Sequence, residues 1–182
     1  MTPVAEILER ILVLKCQTGD THALEELYLR HSARLGYYLR RLLDDASAAD
    51  VQQEVWLTVV RKIARLKAPE AFTVWLYRIA RTRALDRLKA ASNGAVLESD
   101  SSPGVLDQAT ESDPEFSPED AAAIHAALDR ISLAHRDVLL LRFMEDLSYD
   151  QIVEVIGCPF GTVASRLYHA KQALRRELEK PQ

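Results

Sequence analysis

Apolar residues recur at every third or fourth position over residues 4–91, which is the spacing of one face of an α-helix. Val4 to Cys16 forms the first run, and Gly19-Asp20-Thr21 ends it with residues that break one helix and cap the next. The second helix carries its apolar stripe on Ala23, Leu24, Leu27 and Tyr28 and extends towards Leu42 and Leu43. Because strand-like alternation is missing, this pattern predicts packed helices.

Two further helices complete this first segment. Residues 44–49 form a polar turn, and Asp50 opens a helix that runs to about Leu66. Its buried stripe repeats at a strict spacing of four, at Val51, Val55, Val59 and Ile63. Pro69 interrupts the pattern, since proline breaks a helix interior. The last helix is predicted over Glu70 to Ala91, with Phe72, Trp75, Leu76 and Ile79 directed inward.

The segment from 92 to 119 breaks the helical pattern with turn sequences such as Asn93-Gly94 and Asp113-Pro114. Low hydrophobicity and dense negative charge predict a flexible acidic linker there. From about Asp120 helical spacing returns, with a core supplied by Ala127, Leu128, Ile131, Val138, Leu139, Leu141 and Leu147. The predicted fold is all-α, with two small helical domains, at 1–91 and 120–182, joined by this linker.

The second domain contains the pattern of a helix-turn-helix from Leu147 to Leu167. Ser148 is placed to cap a first helix that ends at Ile156. Gly157 can adopt the left-handed conformation that ends such a helix, and Pro159 cannot extend it. The motif therefore predicts a short helix, a tight turn and a second helix.

Thr162 is predicted to cap the second helix of the motif. Its buried stripe follows from spacings of four, three and four, at Val163, Leu167, Ala170 and Leu174. The outward face then carries Ala164, Ser165, Tyr168 and His169. In a helix-turn-helix this face of the second helix reads base edges in the major groove, so the motif indicates DNA binding.

The distribution of charge supports this interpretation, although the net charge of the 182-residue chain is −4. Residues 61–89 contain nine basic and two acidic side chains, whereas residues 98–120 contain eight acidic side chains and no basic one. Such asymmetry points to a nucleic-acid partner. The alternative interpretation of the basic run is a solvated helix face. The acidic run has two interpretations, a solubilising spacer or a mimic of a nucleic-acid strand.

Several classes of function lack their sequence signals. Cys16 and Cys158 are too few and too far apart for a zinc site or a disulfide framework, and the five histidines show no ligand spacing. We find no glycine-rich phosphate loop and no nucleophile elbow. The sequence therefore predicts no enzyme, no metal and no cofactor. With neither a signal peptide nor an apolar run of about 20 residues, we expect no membrane insertion and a cytoplasmic location.

Four stretches together resemble a bacterial sigma factor of the extracytoplasmic-function group. These stretches are Gly19–Tyr28, Asp50–Trp56, Phe72–Ala80 and the helix-turn-helix at Leu147–Leu167. They are similar, in this order, to the start of region 2, the core-polymerase-binding helix, the promoter-melting helix and region 4. The resemblance covers nearly the whole chain. It implies a dissociable subunit of RNA polymerase, with catalysis left to the core enzyme, and an anti-sigma factor as a further partner.

The resemblance assigns the first domain to the clamp helices of the β′ subunit and to opening of the −10 element. The residues expected to face core polymerase, on the side of the helix opposite its buried stripe, are Asp50, Gln53, Glu54 and Leu57. Strand opening needs cations for phosphates and aromatic rings for unstacked bases. The expected −10 contacts are Leu66, Trp75, Tyr77, Arg78, Arg81, Thr82 and Arg83, with Trp75 equally interpretable as a core residue.

The second domain would sit on the β flap and read the −35 element. The expected contacts are Ser165, Arg166, Tyr168, His169, Lys171 and Arg175. Two departures from the family pattern occur here, since Ala164 and His169 stand where basic residues are usual. In the first domain, Thr82 and Leu66 replace the asparagine and the aromatic residue common at the pocket for a flipped-out base.

Two other functions use similar elements. An autonomous helix-turn-helix regulator would bind duplex DNA alone as a dimer and use its first domain for a ligand or for dimerisation, and a helical adaptor would bind only proteins. The basic block with its aromatic residues disfavours both, because neither function requires it. Binding to core polymerase separates the three hypotheses.

Overall fold

The computed structural model describes residues 3–91 and 121–180. Every regular element within these two ranges is helical, so the prediction of an all-α fold is confirmed. The helices form two compact units. The predicted acidic linker at 92–119 lies outside the described residues.

The first unit contains α1 (Pro3–Gln17), α2 (Thr21–Leu42), α3 (Asp45–Lys62) and α4 (Phe72–Ala91), with two 3-10 turns, Ile63–Arg65 and Pro69–Ala71, between α3 and α4. Helix α2 packs against α1, α3 and α4. Asp20 caps α2, because its side chain accepts a hydrogen bond from the N–H of Ala23 at 3.1 Å. The predicted stripe of α3 is buried along its whole length, with exposed fractions of 0–4%.

Helix α3 begins five residues earlier than the sequence pattern predicted. Asp44 is its N-cap, and the Asp44 carboxylate accepts the N–H of Ser47 at 3.0 Å. That backbone hydrogen bond lowers the pKa of Asp44. The predicted polar turn at 44–49 and the predicted helix start at Asp50 are therefore wrong. The polar residues after Asp44 form the first turns of α3, because the Asp44 side chain caps the helix there. Helix α4 likewise starts at Phe72 instead of Glu70, after the 3-10 turn that Pro69 begins.

A buried polar network joins three helices of the first unit. Glu9 of α1 and His31 of α2 are only 4% and 6% exposed, and the carboxylate lies 2.9 Å from the Nε2 atom of His31. The hydroxyl of Thr73, in the first turn of α4, donates to the other carboxylate oxygen at 2.8 Å. Burial alone raises the pKa of Glu9, but the hydrogen bond and charge of His31, together with Thr73, outweigh it and hold that pKa below its ordinary value. The network therefore ties the start of α4 to α1 and α2.

The second unit contains α5 (Ala121–Arg130), α6 (Leu133–Leu139), a π-helical turn (Leu140–Met144), α7 (Tyr149–Ile156) and α8 (Phe160–Leu178). Helix α8 packs against α5 and α6. All seven residues predicted for the core of this domain are buried. Ser132 caps α6 by accepting the N–H of His135 at 3.3 Å. In the described part of the chain, no helix has both the length and the apolar character needed to span a membrane.

Candidate nucleic-acid interface

A basic concavity lies on the first unit where α3 gives way to α4. The end of α3, the 3-10 turns and the first turns of α4 contribute its lining. The lining residues of these segments are Lys62, Arg65, Leu66, Lys67, Ala68, Ala71, Val74, Trp75 and Arg78. Four cations and one indole ring thus converge on one surface, which suits phosphates and unstacked bases. Together these residues form the basic concavity.

Gln17, which is remote in sequence, holds the backbone of this concavity through hydrogen bonds. The side-chain amide at the end of α1 donates to the carbonyl oxygens of Ile63 and Leu66, at 3.1 and 2.7 Å. These hydrogen bonds hold the irregular segment between α3 and α4 in place. Sequence reasoning missed Gln17, because its partners lie 46 and 49 residues away and no local pattern marks them.

Three of the seven residues predicted to contact the −10 element line the basic concavity: Leu66, Trp75 and Arg78. Trp75 is half-buried, with its ring centroid 6.1 Å from that of Phe72. It is therefore neither a full core residue nor a freely exposed ring. Lys62, Arg65 and Lys67 were part of the predicted basic block but not of the predicted site.

The other predicted −10 residues lie further along α4. Arg81 is half-buried, whereas Thr82 and Arg83 are exposed. The Thr82 hydroxyl donates to the carbonyl of Arg78 at 2.8 Å, so its proton is already engaged within the helix. Arg83 lies 4.0 Å from Glu54 of α3.

Tyr77 was predicted to be an exposed aromatic contact at the −10 element, and this prediction is wrong. Its side chain is 0% exposed, and its ring packs edge-on against Tyr38 at a centroid distance of 5.2 Å. A ring without solvent access cannot stack on an unpaired base. The set of buried residues predicted for α4 omitted Tyr77. Because α4 packs against both α2 and α3, more of its surface is buried than a single stripe would cover.

An exposed strip runs along α3 on the side opposite its buried stripe. All four residues predicted to face core polymerase, Asp50, Gln53, Glu54 and Leu57, are exposed. Val60 extends the strip, and both it and Leu57 are 54% exposed. Asp50 pairs with Arg87 at 3.2 Å, so the acidic groups of this strip also face basic residues of α4. Sequence reasoning omitted Val60, although it follows Leu57 at helical spacing.

The first helix of the helix-turn-helix begins and ends as its sequence predicts. Ser148 and Gln151 form a capping box at the start of α7, and Gly157 ends the helix with φ +75°. Thr162 was predicted to be the N-cap of α8, and this prediction is wrong. Pro159 occupies that position, and its carbonyl accepts the N–H groups of Thr162 and Val163, at 2.9 and 3.1 Å. Proline fits at a helix start because its φ is already helical and no N–H is needed there.

Helix α8 divides the predicted −35 residues between two flanks. Its predicted stripe is buried at 0–5% exposure. Ser165, Arg166 and His169 line a cleft together with His135, Gln172, Ala173 and Arg176. Tyr168, Lys171 and Arg175 follow one another at helical spacing outside that cleft. The sequence alone did not connect His135, Gln172 or Arg176 with the site.

Comparison with known proteins agrees with this arrangement. Residues 27–93 match the model of "Sigma-70 region 2", and residues 121–174 match that of "Sigma-70, region 4". The RNA polymerase sigma-H factor of Pseudomonas aeruginosa is 32% identical over 92% of both chains. The ECF RNA polymerase sigma-E factor of Escherichia coli K12 is 28% identical over 96% of both chains.

Two solved structures share the fold. CnrH, in complex with the cytosolic domain of CnrY, has a TM-score of 0.66 at 20% identity, covering 93% of this chain and 96% of that one. The sigma factor RpoE, in complex with the anti-sigma factor NepR from Bartonella quintana, has a TM-score of 0.67 at 19% identity, covering 87% and 98%.

The helical units, the helix-turn-helix and these matches define a transcription initiation factor. The chain belongs to the sigma-70 family of RNA polymerase sigma factors, in its extracytoplasmic-function group. It is a non-catalytic subunit that binds core polymerase and directs promoter recognition and initiation. Among the described residues, no group of histidine, cysteine or acidic side chains is placed to hold a metal ion.

Proposed function

We propose that the first unit holds the single strand of an opened −10 element in the basic concavity. The observation that carries this proposal is that Lys62, Arg65, Lys67 and Arg78 line the same concavity as the half-buried Trp75. Cations attract the phosphates, and an indole ring offers a stacking surface that tolerates any base. Arg81, Thr82 and Arg83 continue the basic surface beyond the concavity along α4.

The exposed strip of α3 is the proposed contact with the clamp helices of the β′ subunit. Leu57 and Val60 form an apolar centre, and Asp50, Gln53 and Glu54 surround it with polar groups. An apolar anchor within a polar rim is the usual composition of a protein interface. The same surface would be poorly suited to DNA, because it carries carboxylates.

The second unit is proposed to sit on the β flap and to read the −35 element with α8. The proposed contacts are Ser165, Arg166, Tyr168, His169, Lys171 and Arg175, and their place on the second helix of a helix-turn-helix supports this assignment. Residues 92–119 would tether the two units, an assignment that rests on composition alone. We also propose that an anti-sigma factor holds this chain inactive, by analogy with the complex of RpoE and the anti-sigma factor NepR, and that the chain acts in the cytoplasm beside its polymerase.

Core binding by α3 can be tested with two matched substitutions. Leu57→Asp places a carboxylate at the apolar centre of the strip, whereas Leu29→Asp does the same at a 64% exposed position of α2 outside it. We expect Leu57→Asp to weaken affinity for core polymerase by roughly 30-fold or more, the size of an interface hot spot. Leu29→Asp should bind as the unaltered chain does, and equal affinities for both variants would refute the assignment.

A further inference from the structure

Helix α1 is apolar on two opposite sides. Its inner side packs into the first unit and carries the buried Leu12, Val13 and Cys16. Its outer side carries five aliphatic side chains with exposed fractions between 43% and 74%, and these are Val4, Ile7, Leu8, Ile11 and Leu14. Because a helix that is apolar all round is typically buried, this outer stripe is expected to meet a partner.

The outer stripe is a concentrated patch rather than a scatter of single residues. The described residues expose 12 large apolar side chains, and five of them lie on this one helix. None of the five belongs to the basic concavity or to the exposed strip of α3. A contiguous exposed apolar patch marks an interaction surface, whereas isolated apolar residues on a surface need no explanation.

The spacing of the stripe indicates that its partner is another helix. Val4, Ile7, Ile11 and Leu14 follow one another at intervals of three, four and three, which is the seam of a coiled coil. Such a seam packs against the matching seam of a second helix. With a rise of about 1.5 Å per residue, it covers roughly 15 Å along the surface of α1.

The seam is complementary to itself when two copies run antiparallel. In that arrangement Val4 lies opposite Leu14 of the partner subunit, and Ile7 lies opposite Ile11 of the partner subunit. The same contacts recur in the other direction, as a two-fold axis requires. Every seam position of both copies then meets an aliphatic side chain.

The charges beside the seam favour the same arrangement. Glu6 and Arg10 are exposed one turn apart on one flank of the stripe, and Leu8 and Lys15 lie on the other. A two-fold axis between antiparallel helices brings equal flanks together. Glu6 then lies about 3 Å along the axis from Arg10 of the partner subunit, and this pairing occurs twice. Parallel helices would instead set the flank of Arg10 against that of Lys15, without an opposite charge.

We propose that the chain forms an antiparallel homodimer through the outer stripe of α1. The interface uses one short helix from each copy, so it belongs to the smallest and weakest class of protein interfaces. We therefore expect a reversible dimer with a dissociation constant of roughly 10–100 µM. The proposal uses none of the residues assigned to DNA or to the β′ subunit, so it stands or falls independently of those assignments.

The test measures the mass of the full-length chain by sedimentation equilibrium over about 1–500 µM, a range that brackets a weak interface. The unaltered chain should shift from monomer to dimer within this range. Ile7→Glu places a carboxylate in the seam of both copies and should raise the dissociation constant at least about tenfold. The matched control is Leu29→Glu, because Leu29 and Ile7 are 64% and 60% exposed and Leu29 lies on α2. The control should dimerise as the unaltered chain does.

A charge exchange tests the antiparallel arrangement separately. Glu6→Arg alone sets two positive charges side by side at both ends of the pairing and should weaken the dimer about threefold at low salt. Combining Glu6→Arg with Arg10→Glu restores opposite charges and should restore the affinity. Both side chains are exposed, so neither substitution disturbs the core, and circular dichroism checks this.

Three results would overturn the proposal. A chain that stays monomeric over the whole range has no such dimer. Equal weakening by Ile7→Glu and Leu29→Glu would place the contact elsewhere, and a double variant that remains as weak as Glu6→Arg would exclude the antiparallel pairing. If Ile7→Glu lowers affinity for core polymerase while the unaltered chain stays monomeric, polymerase rather than a second copy covers the stripe.

Discussion

The two proposed DNA-binding surfaces are built in different ways. Most of the surface in the second unit lies on one helix, α8, whose orientation follows from the local Ser148–Thr162 turn. The basic concavity of the first unit combines the end of α3, two 3-10 turns and the start of α4, and Gln17 of α1 pins it. A surface on one helix depends on local conformation, whereas an assembled surface depends on distant contacts. Substitutions can separate these dependences.

The largest effect is expected from Glu9→Gln, which removes the charged centre of the buried network. Losing charge-assisted hydrogen bonds in a buried site should destabilise the first unit by about 1–3 kcal/mol. The exposed Glu6 provides a matched control, Glu6→Gln on the same helix. Both tryptophans of the chain, Trp56 and Trp75, lie in the first unit, so urea unfolding followed by tryptophan fluorescence reports on this unit alone.

The effect of Glu9→Gln on the free energy of unfolding should depend on pH. Because the pKa of Glu9 is lowered in the folded chain, its stabilising effect is present above the ordinary glutamate pKa. The effect is lost as the pH falls through the lowered value. The stability difference between the unaltered chain and Glu9→Gln should therefore shrink in acid. A difference that stays constant with pH would argue against a charged Glu9 in the network.

Gly157→Ala should have the next largest effect, and it should act on the other surface. A side chain at φ +75° strains the backbone by about 1–2 kcal/mol, although nothing lies within 4 Å of the added Cβ. Gly19, at φ +92° with equally open surroundings, provides the matching Gly19→Ala variant in the first unit. We expect only Gly157→Ala to weaken duplex binding, because only its turn orients α8. Equal weakening by both variants would contradict a locally determined surface.

Gln17→Ala addresses the assembled surface. The variant frees the carbonyls of Ile63 and Leu66, and binding to single-stranded DNA should fall by about 1 kcal/mol, or roughly fivefold. Duplex binding should stay unchanged. Anisotropy with single-stranded and duplex oligonucleotides measures both, and unchanged single-strand affinity would show that the segment holds its shape without Gln17.

The smallest effect is expected from Arg87→Gln. Its ion pair with Asp50 joins α3 to α4, but the two side chains are 40% and 64% exposed. Solvent screens such pairs, so the free energy of unfolding should change by less than about 1 kcal/mol. A larger loss in urea unfolding would mean that this pair, rather than apolar packing, holds α3 against α4.

Sequence reasoning succeeded where the determining interactions are local. The stripe of α8, the Ser148 cap and the Gly157 turn follow from residues within a few positions of one another, and the structure confirms them. The stripe of α3 was also correct, but its start was misplaced because the capping role of Asp44 was overlooked. A single capping residue can therefore determine where a helix begins.

Prediction failed where distant segments meet. Tyr77 was expected on the surface, and the packing of α4 against both α2 and α3 buries it. Neither Gln17 in the first unit nor His135 in the second was linked to a site, since each acts across a helix pair. Identifying such residues requires knowledge of how the helices pack.

Two variants of the full-length chain, compared on single-stranded and duplex DNA, test whether the two surfaces bind different forms of DNA. One variant combines Arg65→Gln with Arg78→Gln in the basic concavity, and the other is Arg166→Gln in α8. We expect the first variant to lose single-strand affinity, with a salt slope lower by about 0.7 for each phosphate contact removed, and to keep its duplex affinity. The second should lose duplex affinity and keep its single-strand affinity. Equal weakening on both kinds of DNA by either variant would contradict the division of labour between the two surfaces.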